Sequence, residues 1–280
     1  MKNTILFILL LSTITTNAQP PQYTIYALRF ASSGHRWPIS DWAANGPKND
    51  SVGIDFMIWL IKGTNGKNIL VDAGFLNDIP DAQEFSIVDY TRPDSTLAKL
   101  ALKPTDITDI IVSHPHWDHI DGLTLFPNAT VWMQKDDYNY CVGGAWQTDG
   151  FAGGFNKRDM RMLLELNMAH RLVLVPGDDK EIISGIKVFT GSRHTFNSQY
   201  ALVNTGTNKI ILASDNIWIY YQLDHMHPAA EGGTFDTTAY VKSIARMKTL
   251  VSKPGYIIPG HDSQIFTLFP RVAEGVVKIE

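Results

Sequence analysis

The chain has 280 residues, 44% of them hydrophobic, enough to bury a sizeable core. With 19% charged and 11% aromatic residues, its composition is that of a folded protein and not of a disordered one. A net charge of −4 offers no basic surface for nucleic acid.

The first residues read as a leader. Met1-Lys2-Asn3 gives a positive start, Ile5 to Leu11 is an unbroken apolar run, and Thr16-Asn17-Ala18 places a small residue at a cleavage point. That is the layout of a secretory signal peptide over residues 1–18, with an apolar run too short to span a membrane. The expectation is a secreted or periplasmic protein with a mature start near Gln19 and a single domain over residues 19–280. No stable membrane insertion is expected after cleavage; a retained anchor is the alternative. No other stretch has transmembrane character. Cys141 is the sole cysteine, so an internal disulfide is excluded and a buried small hydrophobe is its simplest reading.

Tyr23 to Phe30 alternates and predicts a strand. Ala31 to Ser51 is rich in Gly, Pro, Ser and Asn, holds Trp37 and Trp42, and reads as a loop over a cleft. Ile54 to Ile61 is an apolar strand, Gly63-Thr64-Asn65-Gly66 a turn, and Lys67 to Asp72 the returning strand. Thr96 to Leu102 predicts a helix and Thr105 to Thr108 a short helical turn. Ile110-Ile111-Val112 then reads as a buried strand.

Directly behind that strand stands Ser113-His114-Pro115-His116-Trp117-Asp118-His119. Three imidazoles and a carboxylate crowded at a strand end are expensive to bury unless something binds them. Neutral imidazole is a common metal ligand, and carboxylate adds charge neutralisation. His114 and His116, two apart at an extended strand end, point the same way and can face one ion. Asp118 and His119, beyond a turn, can face a second. The local motif seldom lets four groups reach one ion, so further ligands are expected from elsewhere.

Gly143 to Phe155 is a Gly-rich loop with Trp146, Phe151 and Phe155, and Lys157 to Ala169 has helical spacing. Tyr200 to Asn204, a turn at Thr205-Gly206-Thr207-Asn208, and Lys209 to Ser214 repeat the first hairpin, each ending at an aspartate (Asp72 and Asp215). Asp236 can cap a helix through Val251 with Tyr240, Ile244, Met247 and Leu250 on its apolar face. Tyr256-Ile257-Ile258 is a last strand leading to Pro259-Gly260-His261-Asp262. Such a mixture suggests sheets covered by helices. Three more candidate ligands thus sit where strands end: His194 in Gly191-Ser192-Arg193-His194-Thr195, Asp215, and His261 after Gly260. Each alone also fits a structural role: a core His, a capping Asp, a loop His.

The order H-x-H-x-D-H, His, Asp, Gly-His resembles the metallo-β-lactamase-fold hydrolases, from about Ile54 to Asp262 and including Val71-Asp72-Ala73-Gly74. The resemblance implies an α+β four-layer αββα sandwich with two metal ions, most often Zn2+. His114, His116 and His194 would hold one ion, Asp118, His119 and His261 the other, and Asp215 both. It also implies hydroxide at the ion pair attacking a carbonyl, with Asp118 orienting it or returning a proton to the leaving group. Asp72 would hydrogen bond a ligand imidazole. Arg193 and Asn197 stand where the family usually has glycines, as in G-H-T-x-G.

Within the family, a bridging aspartate disfavours the β-lactamases, and the glutathione thioesterases work in the cytosol. The N-acyl-homoserine lactonases are the closer resemblance, through Ser113 to His119, Ala213-Ser214-Asp215, Pro259-Gly260-His261-Asp262 and the helix through Arg246-Met247. That branch has a tyrosine shortly after the bridging Asp; here Trp218 is third, and Tyr220 is the candidate catalytic phenol, with packing under a loop as its alternative. Trp37, Trp42, Trp146, Phe151 and Phe155 suit a groove for an apolar acyl tail, or core and lid packing. His225 and His227, two apart, could bind metal, but no further motif surrounds them and they read as surface or substrate-pocket histidines. The first hypothesis is an exported dinuclear-zinc lactonase acting on a small molecule, or a relative acting on esters, thioesters or β-lactams. The second is a non-hydrolytic metal protein such as an iron redox relative.

Overall fold

The computed structural model describes residues 21–280; the leader expected over residues 1–18 lies outside the described residues. Its strands are β1 (Tyr23–Ser32), β2 (Trp37–Pro38), β3 (Ser51–Val52), β4 (Asp55–Gly63), β5 (Asn68–Val71), β6 (Asp109–Ile111), β7 (Thr130–Gln134), β8 (Leu172–Val175), β9 (Lys180–Ile183), β10 (Ile186–Thr190), β11 (Gln199–Asn204), β12 (Lys209–Ser214), β13 (Ile257–Pro259), β14 (Arg271–Ala273) and β15 (Val276–Lys278). Eight form one mixed sheet in the order β14-β15-β1-β4-β5-β6-β7-β8, and five form a second, β13-β12-β11-β10-β9.

The strands are apolar on both faces because both faces are covered. In β4, Met57, Trp59 and Ile61 point into a core shared with Val188, Ala201, Val203 and Leu212 of the second sheet. Their neighbours Ile58 and Leu60 point the other way, onto the outer layer that holds Leu97, Ile120 and Leu163. On the far side of the second sheet, Leu202, Ile211 and Ile257 pack on Tyr240, Ile244 and Met247 of the helix Thr237–Leu250. Asp236 caps that helix by accepting the Ala239 N–H at 2.9 Å. The layers are therefore helix, sheet, sheet, helix. Among the described residues no helix is long and apolar enough to cross a membrane.

Two expectations shift. The helix expected at Thr96 begins at Pro93, whose fixed φ suits a first helical position, and continues as a 3-10 turn over Leu97–Leu100. The repeated hairpins are real, β4–β5 and β11–β12, and each is followed by a parallel partner, β6 and β13. Yet the residue in left-handed backbone at the strand end is Asp72 (φ 62°) in the first and Ser214 (φ 47°) in the second. Asp72 is thus matched in space by Ser214, and the two side chains meet, Ser214 Oγ donating to Asp72 Oδ2 at 2.8 Å.

The helix Lys157–Met168 carries a buried acid whose charge the fold resists. Asp159 is fully buried and neither of its oxygens meets a donor among the described residues. It lies against Asp121, which already accepts from Leu76 N at 2.8 Å and Arg158 Nε at 2.9 Å. Burial first, then Asp121, raise the Asp159 carboxyl to about 9. At neutral pH it therefore keeps its proton and donates it to Asp121. A folded-state pKa above the unfolded value means that this stabilisation is complete below about pH 4 and is lost as pH rises toward the folded pKa. Asp159→Asn keeps a donor for Asp121 without a charge. It is expected to raise the Tm at about pH 8 and to flatten its decline between about pH 6 and 9. Thermal melts across that range check this; an unchanged slope refutes the shared proton.

Candidate metal centre

The first-sheet strand β6 ends at Ile111, and the chain after it delivers His114 and His116 and then a helical turn, Trp117–Ile120, with Asp118 and His119. The second sheet delivers His194 on the loop after β10, Asp215 after β12 and His261 after β13. The ligand atoms of His114, His116, His194 and Asp215 all lie within 4.8 Å of one another, as do those of Asp118, His119 and His261. Asp215 stands between the groups. Its Oδ2 is 3.4 Å from His194 Nε2 and 3.8 Å from His114 Nε2; its Oδ1 is 3.0 Å from His261 Nε2 and 3.3 Å from His119 Nε2. Asp118 Oδ2 lies 3.2 Å from His119 Nε2 and 3.5 Å from His261 Nε2.

For four of the five rings the far side fixes the tautomer. His194 Nδ1 donates to Gly233 O at 2.8 Å and His261 Nδ1 to Asp55 O at 3.2 Å; a carbonyl only accepts, so both Nε2 atoms are bare. Asp72 accepts from Ser113 N (2.8 Å), Ser113 Oγ (2.9 Å) and Ser214 Oγ (2.8 Å), as an ionised carboxylate can, and takes the His119 Nδ1 hydrogen at 2.8 Å. Ser113 Oγ, its own hydrogen given to Asp72, accepts from His114 Nδ1 at 2.9 Å. His116 is turned the other way and presents Nδ1, 3.1 Å from His194 Nε2. Gly154 lies flat against the outer edge of the His116 ring; a Cβ there would be 2.5 Å from Cδ2, and its φ of +77° also favours glycine.

The result is a knot of acceptors with no hydrogens between them. His114 Nε2, His119 Nε2 and Asp215 Oδ1 are buried and have no hydrogen-bond partner among the described residues. An unmet buried polar atom costs about 1–3 kcal/mol, and here two imidazole nitrogens and an Asp215 oxygen converge beside a second carboxylate, Asp118. Divalent cations satisfy such a set, and the nitrogen and oxygen donors suit zinc. The protonation states of His114, His116 and His194 agree. Burial, then neighbouring imidazoles, hold His114 well below its usual value; burial and then His194 bring His116 down to about 3. Burial lowers His194 as well. For Asp215 burial works against the charge, but His261 and His119 outweigh it and hold the carboxyl well below the ordinary range. Burial likewise opposes charge on His119 and His261, where the adjoining carboxylates outweigh it and raise both.

The structure brings all seven candidate ligands together and sets Asp72 behind His119. It does not bring Tyr220 to the cavity. Trp218 takes the wall, and Tyr220, two residues on, packs among interior apolar side chains with its phenol pushed well up by burial. The cavity, about 390 Å³, is walled by Trp42, Phe56, Phe85, Trp117, Phe151 and Trp218. Of the other aromatics expected there, Trp37 packs on Trp42, Trp146 donates to Cys141 O at 2.6 Å, and Phe155 backs the His116 ring at 5.5 Å. His225 stacks on Tyr221 at 4.1 Å, and neither it nor His227 belongs to a metal-binding group. Cys141 is buried apart from the site.

Several supporting residues gave no sequence signal. Asp137 accepts from Thr195 Oγ1 at 2.6 Å and Asn197 N at 3.1 Å, tying down the His194 loop. That tether works where glycines would otherwise shape the loop, while Arg193 takes the left-handed turn itself (φ 59°). Burial, opposed by the Thr195 and Asn197 bonds, pushes the Asp137 carboxyl up to about 6.

A model of the metallo-beta-lactamase superfamily matches residues 57–152, the segment holding His114 to His119. That segment carries the superfamily's sequence pattern, and the two mixed sheets with flanking helices are the metallo-β-lactamase fold. Among relatives, it is 29% identical to the N-acyl homoserine lactonase AttM of Agrobacterium fabrum over 187 residues, 62% of this chain and 65% of that one. It is 23% identical over 255 residues to an N-acyl homoserine lactonase of Bacillus sp, 85% of this chain and 94% of the other. The match thus spans about 65% of the length of AttM. In structure it is similar to AiiA of B. thuringiensis with N-decanoyl-L-homoserine at the active site (TM-score 0.67, 20% identity, 88% and 96% of the two chains). It is also similar to AidC, a dizinc quorum-quenching lactonase (TM-score 0.62, 18% identity, 87% and 89%).

Proposed function

We propose that this chain is an exported, metal-dependent hydrolase that opens the lactone ring of N-acyl-homoserine lactones. One observation carries the reading: two groups of bare ligand atoms, joined by Asp215, at an aromatic cavity. The names of the similar proteins support the substrate class. His114, His116 and His194 would hold one Zn2+, Asp118, His119 and His261 the other, with Asp215 shared. Two such ions supply Lewis acidity at a carbonyl and lower the pKa of a water.

The chain's own side chains do the rest. Phe56, Phe85, Trp117 and Phe151 exclude water and give an acyl tail an apolar wall. Asp118 turns Oδ2 toward His119 and His261 and also lines the cavity. It is therefore placed to hold a proton for the departing ring oxygen. No Tyr, Ser, Thr, Lys or Arg lines the cavity among the described residues; of the acids that do, Asp118 and not Glu231 belongs to a metal-binding group, and with Asp215 shared between the ions Asp118 is the proton carrier of this reading.

Purified protein is expected to hydrolyse a long-chain acyl-homoserine lactone with release of one proton per ring opened, read by a pH indicator. Chelation is expected to abolish the rate and Zn2+ or Co2+ to restore it. Turnover confined to β-lactams or thioesters rejects the substrate class. Export rests on the leader layout of residues 1–18. N-terminal sequencing is expected to find the mature protein starting near Gln19, and an intact Met1 in soluble protein rejects it.

A further inference from the structure

Trp218 turns its polar edge onto the shared carboxylate: its indole Nε1 donates to Asp215 Oδ2 at 2.7 Å. The ring is held there from several sides. It packs edge-on against Trp42 and His194, each at 5.3 Å between centroids. Its backbone is fixed at both ends, Trp218 N donating to Gln222 Oε1 at 2.7 Å and His261 N donating to Trp218 O at 2.9 Å. Gly233 faces the indole so closely that a Cβ would collide with the ring. The same Gly233 supplies the carbonyl that orients His194. The indole is thus locked onto one oxygen of the shared carboxylate.

The lock makes the two oxygens of Asp215 unequal. Oδ1 has no hydrogen-bond partner among the described residues and faces His119 and His261. Oδ2 faces His114 and His194 but already accepts the indole hydrogen. A hydrogen bond draws charge from the oxygen that accepts it, so Oδ2 is the weaker ligand. The Oδ1 side also has the second carboxylate, Asp118, while the Oδ2 side has three imidazoles and no other carboxylate. Both effects favour a dication on the same side.

We propose that Trp218 is a positioning residue that makes the two metal positions unequal, so that metal enters the Asp118–His119–His261 position first and the His114–His116–His194 position second and more weakly. This rests on the dinuclear reading of the site, and concerns the order in which this chain's ligands are filled.

The test is calorimetric titration of metal-stripped protein with Zn2+ and no substrate, with Co2+ absorption as a second readout. Wild type is expected to bind in two steps separated by at least about tenfold in affinity. Trp218→Phe keeps a ring against Trp42 and His194 but has no donor. Its weaker step is expected to tighten by about tenfold, so that the two steps draw together. Asp118→Asn is expected to lose the tighter step and keep the weaker one. A single two-ion step in wild type, or an unchanged separation in Trp218→Phe, overturns the proposal. If Trp218→Phe does not fold, Asp118→Asn still decides, since loss of the weaker step there reverses the order. Failure on these counts leaves the lactone assay untouched, whereas absence of metal binding removes both readings.

Discussion

Asp215→Asn is expected to lower turnover by about a thousandfold or more and to leave the protein with fewer than two bound metal ions. The substitution keeps the volume of the side chain, so the packing around it changes little. It replaces one acceptor by an NH2 group. Whichever way the amide turns, hydrogens then point at bare imidazole nitrogens on one side: His194 and His114 if the nitrogen replaces Oδ2, His261 and His119 if it replaces Oδ1. Trp218 selects between them, because its indole N–H needs an oxygen and so keeps the carbonyl at the Oδ2 place. The ion beside His119 and His261 is the one expected to be lost. Metal analysis of the purified variant with a rate measurement checks this; two ions per chain at the wild-type rate would remove Asp215 from the site.

How much of this was legible in the sequence depends on the range of the signal. The motif from His114 to His119 is local, and its neighbours in sequence are its neighbours in space. The hairpins were legible because turn residues and apolar runs sit side by side, as in Gly63 to Asp72. Strand β7, the helix Lys135–Val142 and strands β14 and β15 were not, because their patterns are short and their stability comes from the sheet they join. The scaffolding of the site was the least legible part. Gly154 matters only through the ring it touches, 38 residues before it, and Asp137 only through a loop 58 and 60 residues after it. Tyr220 was expected at the cavity because it is the nearest phenol after Asp215. The backbone instead puts Trp218 on the wall and turns into a helix at Tyr220.

Asp72→Asn is expected to weaken zinc binding by about 10–100-fold without removing any ligand. Asp72 sits in left-handed backbone, φ 62°, a conformation that asparagine also tolerates, so the change isolates hydrogen-bond direction from backbone strain. The carboxylate accepts four donors: Ser113 N on Oδ1, and Ser113 Oγ, Ser214 Oγ and His119 Nδ1 on Oδ2. An amide cannot serve both sides. With its nitrogen at the Oδ1 place, two N–H groups face each other and Ser113 N loses its buried partner, at about 1–3 kcal/mol. With its nitrogen at the Oδ2 place, His119 Nδ1 must become an acceptor. The ring hydrogen then moves to Nε2, the atom that faces Asp118 and Asp215 across the metal position. The first arrangement costs chiefly fold stability, the second damages the Asp118–His119–His261 group, and both leave the His194 orientation, set by Gly233, intact. Competition against a chelator of known zinc affinity, combined with a thermal melt, separates the two arrangements. A fall in Tm with little change in affinity marks the first, and a large loss of affinity at the tighter position marks the second. Wild-type affinity and wild-type Tm together would show that Asp72 does not set the His119 tautomer.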